Sequence, residues 1–131
     1  MNSHDFACTI AQFLDDKLAK DITILNISNV SSLADFFVIA TGDSTPQVKA
    51  LMENTKDKAK KLLQKTPIRV ENDSKNRWNL LDYGDVVVHI LHRDERETYA
   101  IEKFWNHAYS IPRDKWLEES KEYSEYENIG R

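Results

Sequence analysis

Apolar residues recur at helical spacing over residues 5 to 20, where Phe6, Ile10, Phe13, Leu14 and Leu18 share a face and Asp15, Asp16, Lys17 and Lys20 lie elsewhere. That pattern predicts an amphipathic first helix. From Asp21 to Val30 the chain turns β-branched and alternates at Ile22 and Ile24, which predicts a strand. After Ser31-Ser32, the run Phe36-Phe37-Val38-Ile39-Ala40 is apolar throughout, as expected of a central strand buried on both faces. Thr41-Gly42-Asp43-Ser44 leads into a second helix. Ser44 can cap it, Gln47 three residues on completes a capping box, and Pro46 sits in the first turn, where its missing N–H costs little. Val48, Leu51, Met52, Thr55, Ala59, Leu62 and Leu63 form its inner face, and lysines crowd the rest.

A short strand, Ile68 to Val70, and a polar loop, Glu71 to Asn76, come next. Trp78 to Leu91 then reads as a β-hairpin with Tyr83-Gly84 at the centre of its turn. Asp94, with Glu97, can cap a last helix whose stripe is Ile101, Phe104, Trp105 and Ala108, ended by Pro112. The predicted order is α-β-β-α-β-β-β-α: a single α/β (α+β) domain over residues 1–112, with a mixed sheet of about five strands flanked by helices. Residues 113–131 are rich in acidic side chains and poor in aliphatics, which predicts a loosely held, flexible tail.

Bulk properties narrow the function. The 131 residues suffice for one domain with a real core. No apolar run approaches membrane-spanning length, and Met1 to Asp5 shows neither a secretory signal nor an Arg-rich transit segment. With its lone cysteine, Cys8, the chain has no internal disulfide, which fits a reducing cytoplasm. Cys8 lies in the first helix with no histidine placed to activate it, and reads as a buried thiol. His4 and His107 show no companions. His89 and His92 point to opposite faces of a strand, and without a nearby cysteine they make no zinc site. A net charge of −4 argues against general nucleic-acid binding but leaves room for a basic protein partner. The lysines of the second helix read as a solvated face.

Two arrangements could carry chemistry. Asp82 and Asp85 flank the hairpin turn, where they could be turn chemistry, a docking patch or metal ligands, in that order. Gly42-Asp43-Ser44 between strand and helix could hold a phosphate, as in nucleotidyltransferases. Those enzymes need carboxylates at alternate positions of an adjacent strand to hold magnesium, and neither Ile68-Arg69-Val70 nor Val86-Val87-Val88 supplies them. A capping box explains the segment without an active site, so no catalytic, cofactor or metal residue is assigned. The aromatics Trp78, Tyr83, Tyr99 and Trp105 can anchor an interface, and with Asp82, Asp85 and Glu102 they would suit a basic partner.

Three motifs in order are more specific: Asp35 to Gln47 (DFFVIATGDSTPQ), Trp78 to His89 (WNLLDYGDVVVH) and Arg96 to Trp105 (RETYAIEKFW). From the first helix through Trp105 the chain resembles the Iojap family, the ribosomal silencing factors. Phe36 stands where many members have tyrosine, and the tail beyond Pro112 falls outside the resemblance. The resemblance implies a fold related to nucleotidyltransferases without their metal carboxylates. It implies a translational repressor that binds the large ribosomal subunit through ribosomal protein fourteen (uL14), blocks joining of the small subunit when nutrients are short, and takes part in large-subunit assembly. Members are often homodimers. On this reading the partner-binding patch is Trp78, Leu80, Leu81, Asp82, Tyr83, Asp85, Tyr99 and Glu102. No cofactor, membrane or sequence-specific nucleic acid is implied. The alternatives are a nucleotidyltransferase using Gly42, Ser44, Asp82 and Asp85, or a structural homodimer.

Overall fold

A computed structural model describes residues 1–125. Helix α1 runs Ser3–Asp16, its start capped by Asn2, whose side chain accepts from the Asp5 amide. It is shorter than its periodicity suggests. The backbone leaves the helix at Lys17, and Leu18 adopts a positive φ and faces solvent instead of extending the apolar stripe. Strand β1 (Lys20–Asn26) carries a bulge between Lys20 and Thr23, with Asp21 at positive φ, and ends four residues before Val30. Strand β2 (Phe36–Gly42) is buried at every position, and so is β5 (Val86–His92). These two pair in parallel at the centre, which is why their sequences read as unbroken apolar runs.

Helix α2 spans Thr45–Leu63, and Ser44 caps it by accepting from the Gln47 amide at 3.2 Å. The reciprocal arm of the capping box lands one residue early, with Gln47 Oε1 accepting from the Asp43 amide. The preceding turn must be glycine. A Cβ on Gly42 would lie 2.9 Å from a Val48 methyl and 3.1 Å from the Val48 amide nitrogen. The chain then crosses to the edge strand β3 (Arg69–Asn72) and returns through β4 (Trp78–Asp82) into β5. After β5 come the short helices α3 (Arg93–Tyr99) and α4 (Ile101–Phe104), then β6 (Tyr109–Ile111) and α5 (Arg113–Ser120). The sheet has six strands in the order β3-β4-β5-β2-β1-β6, one more than expected. The extra strand, β6, is three residues long and pairs antiparallel with β1.

Two features of the last third depart from the sequence reading. The expected single helix from Asp94 is broken at Ala100, which adopts a left-handed backbone (φ 44). The break lets Glu102 fold back onto Arg96; six residues apart on a straight helix, the two would sit about a third of a turn apart around the axis. Helix α3 also starts two residues earlier than expected, capped by His92 Nδ1 accepting from the Asp94 amide. Asp94 and Glu95 then lie in the first turn, where the helix dipole favours negative charge.

The supposed loose tail is docked through residue 125. Trp116 of α5 is 1 % exposed and joins the core beside α1. The carboxylate of Asp16 at the end of α1 accepts from Gln12, from the Ser124 hydroxyl and from the Glu125 amide. Arg113 pairs with Asp15, and Lys17 with Glu125. One large aromatic together with these polar bonds, not aliphatic periodicity, holds this segment. The last six residues of the predicted tail lie outside the described residues. No described helix is long and apolar enough to cross a membrane.

Helices α1, α2 and α5 pack together with Phe36, Val38, Ala40, Leu81, Val86, Val88 and Ile90 into the larger core, on one face of the sheet. The opposite face carries Leu25, Phe37, Ile39, Val87 and Leu91, with Ile101 and Trp105 of the α3–α4 region against it. One face is therefore sealed by long helices, and the other only partly covered by short ones.

Candidate docking face of the sheet

Strand alternation splits the candidate residues of β4. Trp78, Leu80 and Asp82 are half-buried on the part-covered face, while Asn79 and Leu81 are buried on the sealed face. Leu81, at 0 % exposure, is core and cannot meet a partner. Tyr83 also leaves the patch. Its ring packs edge-on against Phe6 of α1, 5.0 Å between centroids, and burial pushes its hydroxyl up to about 12.

The remaining aromatics form a row across the sheet. Tyr99, 56 % exposed, meets the Trp78 ring at 4.9 Å. The Trp78 indole N–H donates to His89 Nδ1 at 3.3 Å. His89 meets the edge of Phe37 at 4.8 Å, and Phe37 meets Trp105 at 5.3 Å. Because an indole N–H only donates, His89 Nδ1 must accept and its proton sits on Nε2. Burial, and then the positive Arg96 nearby, lower this imidazole to about 4. His89 is thus a neutral spacer under Trp78, consistent with the strand-residue reading. Beside Trp78 and Leu80 lies a shallow cavity of about 480 Å³, bordered by Glu71, Asn72 and Asp73.

The aspartates of the turn have separate jobs. Asp82 Oδ1 accepts from the Gly84 amide at 2.8 Å, and its other oxygen lies 3.6 Å from Arg69. Gly84 has φ +90, and the Tyr83 amide donates to the Val86 carbonyl. The two-residue turn is therefore centred on Gly84-Asp85, one position later than expected, with glycine where a primed turn needs positive φ. Asp85 presents an exposed side chain, while its carbonyl accepts from the Asp35 and Phe36 amides and starts the parallel pairing. Glu102 is held by Arg96, which also donates to Thr41 and Thr23. A larger cavity of about 760 Å³ adjoins this network, and each of the three guanidinium nitrogens already donates to one of those partners.

The nucleotidyltransferase grouping does not assemble. Gly42 stands beside His92 in the parallel pair, whereas Asp82 stands beside Val87, five residues back along β5. At strand rise that is about 17 Å, so Gly42 and Ser44 share no site with Asp82 and Asp85. His4, read as unaccompanied, does acquire companions. Its Nε2 lies 3.3 Å from Glu119 of α5, and the same carboxylate oxygen is 3.5 Å from the Cys8 thiol. Burial and the Glu119 charge push that thiol up to about 12, so with no ion bound Cys8 rests as a thiol.

Fold and face together define an α+β domain with a mixed sheet sealed on one side, a part-open aromatic face rimmed by carboxylates on the other and, among the described residues, no carboxylate set at its glycine turn. Comparison with known proteins names it more closely. The family "Ribosomal silencing factor during starvation" matches residues 1–129, and the chain belongs to that family. The match takes in α5, which the resemblance read from the sequence leaves out. The chain is 40% identical over 111 residues to the ribosomal silencing factor of Bacillus subtilis, covering 82% of this chain and 91% of that one. It is 36% identical over 107 residues to the chloroplastic Iojap protein of Arabidopsis thaliana, covering 81% and 44%. A crystal structure of a Chromobacterium violaceum protein is similar at a TM-score of 0.77 and 35% identity, covering 81% of this chain and 88% of that one.

Proposed function

We propose that this protein is a non-catalytic translational repressor. It docks on the large ribosomal subunit through ribosomal protein fourteen and, by occupying that surface, keeps the small subunit from joining when nutrients are short. Family membership and the implication of the sequence resemblance support the partner. The observation that carries the physical side is the Trp78–Tyr99 pair, its rings in tilted contact at the open end of the aromatic row beside an acid-rimmed cavity. Ribosomal proteins are commonly basic. Asp82, Glu71 and Asp73 would meet their cations, while Trp78 and Leu80 supply a desolvated centre. Occupancy suffices, and no bond need be made or broken.

The same face could instead be covered by a second copy of the chain, since Phe104 of α4 is 88 % exposed and Tyr99 is only half-covered. Co-sedimentation with separated ribosomal subunits tests the first reading. Wild type should be retained on large subunits alone. Trp78→Ala and Tyr99→Ala, each checked for a native circular dichroism spectrum, should lose about 2 kcal/mol of binding, or roughly 30-fold. Tyr83→Ala is unsuitable, because it would break the contact with Phe6. Failure to sediment with either subunit would overturn the proposal, and a concentration-dependent dimer weakened by the same variants would favour the second copy.

A further inference from the structure

On the sealed side, away from the docking face, three unlike donors converge. His4 and Cys8 are four apart on α1 and so share a face, and Glu119 reaches them from α5. Their ligand atoms all lie within 4.8 Å of one another. We propose that His4, Cys8 and Glu119 form a site for a thiolate-binding divalent cation of the zinc class, which staples α5 to α1.

The geometry fits that ion. Metal–donor bonds of about 2.0–2.3 Å in a tetrahedron place neighbouring donors about 3.3–3.8 Å apart. The His4 Nε2–Glu119 separation is 3.3 Å and the Cys8 Sγ–Glu119 separation 3.5 Å, so two of the three edges are at coordination length before any movement. The imidazole is oriented from behind. Asp5 Oδ1 lies 3.2 Å from Nδ1, the carboxylate–histidine arrangement that fixes the tautomer with Nε2 free to ligate, and Phe36 packs at 5.9 Å against the ring. Hard cations prefer all-oxygen sets, so a sulfur–nitrogen–oxygen set selects zinc-like ions over magnesium or calcium. His4 and Glu119 are 41 % and 42 % exposed, which gives an ion an entry path and leaves a fourth position for water. On coordination the Cys8 thiol proton, with any proton on His4 Nε2, passes to solvent, and Sγ and Nε2 each donate an electron pair to the metal.

Without an ion, the same atoms form a half-exposed His4–Glu119 contact and a weak thiol hydrogen bond. Cobalt(II) chloride titrated into untagged, chelator-treated full-length protein separates the two states. The expected result is one equivalent bound, with thiolate-to-cobalt charge-transfer absorption and the strong visible bands of tetrahedral cobalt, both bleached by zinc. Zinc should also raise the Tm. His4→Gln and Glu119→Gln alter half-exposed side chains and should leave the fold intact. Each should weaken cobalt binding by at least the roughly 10–100-fold typical of losing an outer partner, and abolish the zinc-induced rise in Tm. Cys8→Ser should remove the charge-transfer band. Absence of that band at stoichiometric cobalt, or equal affinity in His4→Gln, Glu119→Gln and wild type, would overturn the site.

Discussion

The two faces of this sheet are built from the same strands but to different ends. The sealed face is apolar and fully covered, with Ile10, Phe13, Leu14, Leu51, Val88, Ile90 and Trp116 filling the space under three helices. The other face lays a row of rings over its aliphatic residues, with polar groups threaded through it: a tryptophan bonded to a histidine, and an arginine bonded to two threonines and a glutamate. Aliphatic packing there would be hidden stability. Aromatic rings that keep an exposed end can be completed by something else. The comparison teaches that neighbouring residues of one strand can meet wholly different surroundings, and half-buried Leu80 beside fully buried Leu81 is the sharpest case.

The largest effect should come from breaking the sealed face. Leu81→Ala removes a fully buried side chain and should cost about 3–4 kcal/mol, read as a lower urea midpoint with little change in slope. Leu80→Ala, one residue away on the half-open face, should cost about 1 kcal/mol or less yet reduce retention on large subunits. Equal losses of stability at the two positions would show that the open face is a second core rather than a surface kept for docking.

A slightly smaller effect is expected from acid. His89 is buried among Trp78, Phe37 and the nearby Arg96 cation and titrates at about 4, against about 6.5 when the chain is unfolded. Between those values the unfolded chain takes up a proton that the folded chain refuses. This group's contribution is therefore intact above about pH 6.5, falls as the pH drops towards about 4, and levels off below. The loss is on the order of 3 kcal/mol. His89→Gln, which can still accept from the indole, should flatten that limb in urea melts taken across the range. Trp78→Ala opens the site to water, and the C2 proton of His89 followed by NMR should then titrate closer to the ordinary histidine value. An unchanged titration there would mean that Trp78 does not seal this imidazole.

How much of this was legible in the sequence differs by element for physical reasons. Phe36 to Ala40 and Ser44 could be read because a doubly buried strand and a helix cap are local patterns. The pairing of β6 could not, since Tyr109-Ser110-Ile111 has no pattern of its own and is held only by β1, more than eighty residues back in the chain. The docking of α5 was hidden because it depends on the single aromatic Trp116 and on polar bonds to Asp16, not on a stripe. His92 was not read as a cap because imidazole seldom plays that part. Of the candidate patch, alternation along β4 was enough to separate Leu81 from Trp78, Leu80 and Asp82; which set faced solvent depended on the helices that cover the sheet. Tyr83 lies past the strand end, where alternation no longer says which way a side chain turns. The four-residue spacing of His4 and Cys8 was visible, but Glu119 arrives only through the fold.

The smallest effect on stability, and the most discriminating, concerns the turn aspartate Asp82. Its carboxylate does local work for Gly84 and also contributes charge to the rim of the open face, near Arg69. Asp82→Asn separates these roles. An asparagine carbonyl can still accept from the Gly84 amide, so the turn should survive with a stability change within about 0.5 kcal/mol. The negative charge is gone, so association with large subunits should slow and its salt dependence should become shallower, while dissociation stays nearly the same. Asp82→Ala removes both roles and should add a loss of about 1 kcal/mol from the turn. Stopped-flow association at several salt concentrations reads the first effect and urea melts the second. If the asparagine variant associates like wild type at every salt concentration while the alanine variant is merely less stable, Asp82 serves the turn alone and the charged rim must be sought in Glu71 and Asp73.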